Sequence, residues 1–171
     1  MSKPETQGRL AGGGLIYVAE VVGPDGTILQ SGEHHNLIPQ VGVDFLAGLI
    51  MGTTAIASTL YVGVFEGNYV PTTATKASDL PVNAVESTAY SQATRPVWDK
   101  TYDGVNVITS IDSRAEFTFT ADKVLYGGFV ITDQAKGGNS GVLLSIARFA
   151  TPYTIPSGST FRLFQKLNVV S

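Results

Sequence analysis

Arg114-Ala115-Glu116-Phe117-Thr118-Phe119-Thr120-Ala121 alternates polar and apolar side chains, and this stretch decides the fold class. A period of two sends every second side chain to one face of a strand, so the segment buries one face of a sheet and wets the other. Residues 124–132, 142–149 and 160–170 repeat the habit. Upstream, Leu15–Val22 reads as a strand, and Gly23-Pro24-Asp25-Gly26 as a turn. Pro presets one turn dihedral and Gly accepts positive φ. Residues 27–30 return as the hairpin partner. Residues 60–65 read as a buried strand with Leu60, Val62 and Val64 on one face, and 105–110 as another strand. Gly127-Gly128 within a strand marks a bulge or a close backbone approach. About seven or eight short strands with closely spaced turns predict an all-β domain, a β-sandwich or jelly-roll-like arrangement. One helix is expected at Gln40–Met51, with Val41, Phe45, Leu46 and Leu49 on one face. In a strand-rich chain, one short helix caps an open edge or end of a sheet.

A chain of 171 residues suits one domain with a core of its own. Residues 1–14, polar and ending in Gly12-Gly13-Gly14, read as a flexible N-terminal arm, and 15–171 as a single β-rich domain. Charged residues make up 15% of the chain. That is below the ~25% typical of soluble domains and suits a surface that meets other proteins. A net charge of −3 argues against a nucleic-acid partner, which would need a basic stripe. The absence of cysteine excludes disulfides, thiolate zinc sites and a cysteine nucleophile. Residues 1–14 lack an apolar signal core, and the apolar stretch at 41–51 is too short and glycine-broken to span a bilayer. Synthesis in a cytoplasm, without membrane insertion or a membrane partner, is expected.

Candidate chemistry is sparse. Both histidines lie in Glu33-His34-His35. Neighbours in a strand point to opposite faces, so the two imidazoles do not share an ion, and the run reads as a solvated strand end. The pair is also the only candidate switch near neutral pH. Acyl transfer finds no nucleophile elbow, since Gly138-Asn139-Ser140-Gly141 has the wrong spacing and sits between strands. Glu86, Asp99, Asp103, Asp112, Glu116 and Asp122 offer carboxylates for a glycosidase, but spacing alone does not pair them. No phosphate-binding glycine loop opens a helix. A non-enzymatic protein with no cofactor and no metal is expected.

Residues 66–96 form a long, proline-punctuated connection that ends beside Trp98, the only tryptophan. Long connections of this kind are functional or are ordered by a partner. Tyr69, Glu86, Tyr90, Arg95 and Trp98 are its candidate contact residues. Glu86 and Arg95 form either an intrachain anchor or an ion pair at a subunit contact. Trp98 is either an interface anchor or part of the protein's own core. Lys3, Arg9 and Leu10 are the candidate contacts of the N-terminal arm against a neighbouring subunit.

The order of these pieces resembles a known group. Asn36-Leu37-Ile38 leads to Gly42-Val43-Asp44-Phe45-Leu46-Ala47-Gly48-Leu49-Ile50, then to Tyr61-Val62-Gly63-Val64-Phe65 and a Pro/Thr-rich loop. Glu86, Tyr90 and Arg95-Pro96-Val97-Trp98 follow, then Gly127-Gly128-Phe129-Val130-Ile131-Thr132, Gly141-Val142-Leu143-Leu144-Ser145 and Ala147-Arg148-Phe149. This pattern is similar to small virion proteins of tailed bacteriophages, either capsid decoration (cement) proteins or tail-associated structural proteins. The resemblance covers residues 36–170 through loose structural spacings. It implies a non-enzymatic homo-oligomer, a trimer, partnered with the major capsid protein on the virion surface and made in the bacterial host cytoplasm. It carries over no catalytic residue. A tail-fibre, baseplate or connector protein is the alternative, followed by a tail-associated carbohydrate-binding module or glycosidase.

Overall fold

The computed structural model describes residues 14–168. Lys3, Arg9 and Leu10 of the expected arm lie outside the described residues. The fold is all-β, as expected, with nine strands in two antiparallel sheets and one α-helix among the described residues.

The larger sheet is built on β1 (Leu15–Val22) and β9 (Thr160–Asn168). These pair antiparallel along their whole length, from Leu15 opposite Leu167 to Val22 opposite Thr160. β2 (Ile28–His35) flanks β1. The far edge of β9 is shared by β6 (Ala115–Thr118) near its start and β5 (Val107–Thr109) near its end, with β4 (Thr101–Tyr102) outside β5. The smaller sheet runs β3 (Tyr61–Phe65), β7 (Lys123–Ile131), β8 (Leu143–Ile155). Alternation in β1 turns Leu15, Tyr17, Ala19 and Val21 inward, and in β6 it does the same for Ala115 and Phe117. They meet Val62, Val64, Leu125, Val130 and Phe149 of the smaller sheet in one core. Each of the Val, Leu and Phe side chains contributes about 1.5–3 kcal/mol on burial.

The hairpin β1–β2 is longer than its sequence suggests. β2 runs on through Glu33-His34-His35, with His34 opposite Tyr17. An eight-residue β1 offers a full row of partners, and the polar β2 residues fill it despite weak strand propensity.

The smaller sheet is buried on both faces. Val62 and Val64 face the sandwich core, while Phe65, Phe129, Ile131, Leu143 and Ile146 form a second apolar cluster on the opposite side. Two-sided burial explains why these strands read as near-continuous apolar runs. Gly127 permits the close approach expected of it. A Cβ there would meet the Phe65 ring and the Ala147 carbonyl oxygen. Next to it the β7–β8 register breaks, since Gly127 lies opposite Arg148 but Leu125 opposite Tyr153. Residues 149–152 of β8 thereby bulge towards β2.

The helix α1 (Gln40–Met51) occupies the predicted residues. Leu37, just before it, exchanges two backbone hydrogen bonds with Ile146, at 2.7 and 3.0 Å, on the free edge of β8. Gly42 then sits against the Leu143 and Leu144 carbonyls. The helix therefore caps a sheet edge, as a lone helix in such a chain is expected to do.

Candidate functional site

The long connection is not a free loop. Its first part folds over the outer face of the smaller sheet, where Ala77, Leu80 and Ala84 seal the second apolar cluster, and residues 89–91 then pair with residues 118–120 beside β6. Leu80–Ala84 forms a single wide turn of π type, closed by Glu86 N–H donating to the Leu80 carbonyl at 2.9 Å. Val85 beside it is held at φ 56°, a left-handed conformation that β-branched residues rarely adopt. This delivers the Glu86 side chain to the interior.

Arg95 closes the cover. Its Nε and Nη2 donate to the two Glu86 carboxylate oxygens at 2.8 and 2.7 Å. Nη1 donates to the Asp133 carbonyl at 2.8 Å and Nη2 to the Gly138 carbonyl at 3.0 Å. The guanidinium also stands 5.4 Å from the Phe129 ring centre. Both side chains of the pair are fully shielded from solvent. Burial pushes the Glu86 carboxyl up, while the Arg95 guanidinium draws it back down. Fork geometry and four guanidinium hydrogen bonds make such a pair tolerable away from water. It staples the cover to the turn between β7 and β8.

This arrangement decides the alternatives left open by sequence. Glu86 and Arg95 are the intrachain anchor, and neither side chain is available to a partner. Tyr90 is buried edge-on to Phe117 at 5.0 Å, and burial drives its phenol well above the ordinary range. Lys136 caps it, donating to the Tyr90 and Gln92 carbonyls at 3.0 and 2.7 Å. Trp98 is 5% exposed and belongs to the core, with its backbone N–H donating to the Leu60 carbonyl at 2.7 Å. Tyr69 is half-buried, bonded to Thr75 Oγ1 at 2.9 Å and packed against the outer cluster. Of the residues singled out in 67–98, Glu86, Tyr90, Arg95 and Trp98 are buried within the chain, Tyr90 and Trp98 in the core between the sheets, and Tyr69 stays half-exposed. Sequence could not separate the readings because the apolar face they protect lies on distant strands.

The histidine reading is corrected in part. His35 and Glu33 are exposed, but His34 is buried. Its Nδ1 accepts the Ala150 N–H at 3.2 Å, which places the neutral ring's proton on Nε2, 2.9 Å from Tyr153 Oη. The Phe149 ring lies 4.6 Å away. His34 thus ties β2 to the β8 bulge, and burial lowers its pKa from the ordinary 6.5.

The carboxylates find structural partners. Glu116 pairs with Arg162 at 2.8 Å. Asp103 accepts the N–H groups of Val105, Asn106 and Val107, each at 2.9 Å, which hold its carboxyl below the usual range. Asp122 accepts the Ser157 N–H at 2.7 Å. Asp99 and Asp112 are exposed. Among the described residues, no group of three or more His, Cys, Asp or Glu side chains could hold a metal ion.

The surface that stands out is apolar. On α1, Val43, Leu46, Ile50 and Met51 face outward, Ile50 with 89% of its area exposed. Ile56, just beyond the helix, is 85% exposed. Between this helix and the ends of β1 and β9 lies an apolar cleft of about 300 Å³, walled by Leu15, Phe45, Leu49, Ile56, Trp98 and Leu167. Lys100 is the one charged residue in its wall, with Nζ 5.0 Å from the Trp98 ring centre. Sequence reading placed a single apolar face on α1 and missed this second one. The available signal was Val43, Ile50 and Met51, which fall off the expected stripe of a helix carrying one charge, Asp44. Among the described residues, no helix is long and apolar enough to cross a membrane. No protein-family model matches the sequence, and comparison with curated proteins finds no match.

Proposed function

We propose that this protein is a non-enzymatic structural component of a tailed-phage virion, a decoration protein that forms a homotrimer and stabilises the capsid by contact with the major capsid protein. One observation carries the reading: the outward apolar face of α1, continued by Ile56, on a chain whose interior is otherwise closed. Exposed apolar groups gathered on one element mark a protein-contact surface. The arrangement of the chain over residues 36–170 supports the phage assignment through its resemblance to small virion proteins. Such a protein acts by adding contact area across capsid-subunit junctions. Higher affinity for the mature shell than for its precursor would stabilise the mature form by mass action.

The test is co-sedimentation of the purified chain with phage shells that lack it, together with its mass by analytical ultracentrifugation. A trimer bound in many copies per shell is expected, with binding lost in Ile50→Asp/Met51→Asp. A strict monomer that ignores shells overturns the reading, and binding to tails instead of heads moves the protein to a connector or baseplate role.

A further inference from the structure

We propose that copies of this chain join head to tail, the tip of the β1–β2 hairpin of one copy seating in the apolar cleft beside Trp98 of the next. The inference rests on the homo-oligomer reading above and names its interface. The hairpin supplies a knob. Ile28 and Leu29 are 59% and 55% exposed. They open β2, the edge strand of the larger sheet. The register slips there, with Val21 opposite Gln30 but Val22 opposite Ile28, so Leu29 has no partner on β1. Such a bulge re-aims side chains at a sheet edge, and an apolar edge left open to water is a template for a second chain.

The cleft is the socket. A cavity of about 150 Å³ already takes a benzene-sized group, so about 300 Å³ has room for both knob side chains. Leu15 and Leu167 of its wall face each other at one end of the β1–β9 ladder, while Val22, the partner of Ile28, stands at the other end. The eight residues of β1 separate the two ends by roughly 23 Å. Knob and socket therefore do not meet within one chain. Charge matches as well. Asp25, exposed at the hairpin tip, accepts from the Thr27 hydroxyl at 2.7 Å and the Thr27 N–H at 3.1 Å, which hold its carboxyl below the usual range. Lys100, exposed, is the one charged residue in the cleft wall. A pair of this kind adds little affinity but fixes orientation. Contact between two unlike patches is heterologous, and it closes into a ring when the rotation between copies allows. A ring of three is the trimer.

Variants altered only at exposed positions test the contact. Ile28→Ser/Leu29→Ser removes the knob, and Ile56→Asp/Lys100→Glu spoils the socket. In analytical ultracentrifugation the self-association of each should weaken at least tenfold relative to the parent. The chain has no cysteine, so introduced thiols report one contact at a time. Leu29→Cys chains mixed with Ile56→Cys chains should form a disulfide-linked dimer several-fold faster than either variant does alone. A monomeric parent, a variant that assembles like the parent, or equal cross-linking rates overturn the proposal. Faster cross-linking of Leu29→Cys chains to themselves also overturns it and assigns the hairpin to a symmetric pair. Shell binding by the parent is scored separately, so a failed cross-link with shell binding intact removes this contact and leaves the virion reading standing.

Discussion

Two parts of this molecule cover apolar surface, and they do it differently. Within the segment 66–96, Ala77, Leu80 and Ala84 seal the outer face of the smaller sheet, and the buried Arg95–Glu86 pair locks this cover. Helix α1 caps the edge of β8 yet leaves Ile50, Met51 and a neighbouring cleft open. The first cover is complete, so the conspicuous residues within it serve stability. The second is incomplete, and its outward apolar groups have no role in the chain's own packing. A tryptophan or an arginine is therefore a poor guide to an interface when the chain has built a place for it inside.

The sharpest way to break this contrast is at the staple. Arg95→Ala leaves Glu86 buried without its partner and should cost about 3–5 kcal/mol. Chemical denaturation would measure it. Arg95→Met/Glu86→Leu removes both charges and should recover most of that loss, as the apolar replacement of a buried pair commonly does. If Arg95→Ala proved nearly silent, the cover would not depend on its staple.

The closed side of α1 is tested by Gly42→Ala. Helix propensity alone favours this change by about 1 kcal/mol. The added methyl, however, would press on the Leu143 and Leu144 carbonyl oxygens. A net loss of about 1–3 kcal/mol is expected, because the β8 backbone cannot yield as a side chain can. On the open side, Ile50→Ser should stay within about 0.5 kcal/mol of the parent. Thermal denaturation of the two variants compares the faces of one helix.

His34 is the neutral counterpart of the staple, a buried polar tie with no opposite charge beside it. Burial lowers its folded pKa below 6.5, so the folded chain binds fewer protons than the unfolded chain in the window beneath that value. Its contribution is present above pH 6.5 and is lost as pH falls through the window. His34→Asn keeps an acceptor near the Ala150 N–H but does not titrate. The difference in stability between parent and variant, followed from pH 7.5 to about 5, should shrink as pH falls. A constant difference would mean that His34 does not sense protons. Val85→Gly relieves the left-handed strain at some cost in chain entropy and should gain about 0.5–1 kcal/mol in thermal denaturation.

Much of the fold was legible. Period-two alternation located the long strands, and the Pro-Asp-Gly turn set the first hairpin. Gly127-Gly128 announced the bulge, and helical spacing placed α1 at its observed residues. β5 fell within the strand read at 105–110, but β4 went unread, because two residues carry too little periodicity to register. The site was less legible. Tyr69, Glu86, Tyr90, Arg95 and Trp98 were read as candidate contact residues, and all but the half-exposed Tyr69 are buried within the chain. Their chemistry suits an interface and a polar core alike, and only the packing partner separates the two.

Sequence by itself determined which segments alternate, where the chain turns and what chemistry is missing, because these follow from local periodicity and residue type. Only the tertiary structure decided that Ala77, Leu80 and Ala84 cover the smaller sheet, that His34 is buried while His35 is not, and that one side of α1 remains uncovered. Each of these depends on strands far apart in the chain meeting at one place, and no local pattern records that meeting.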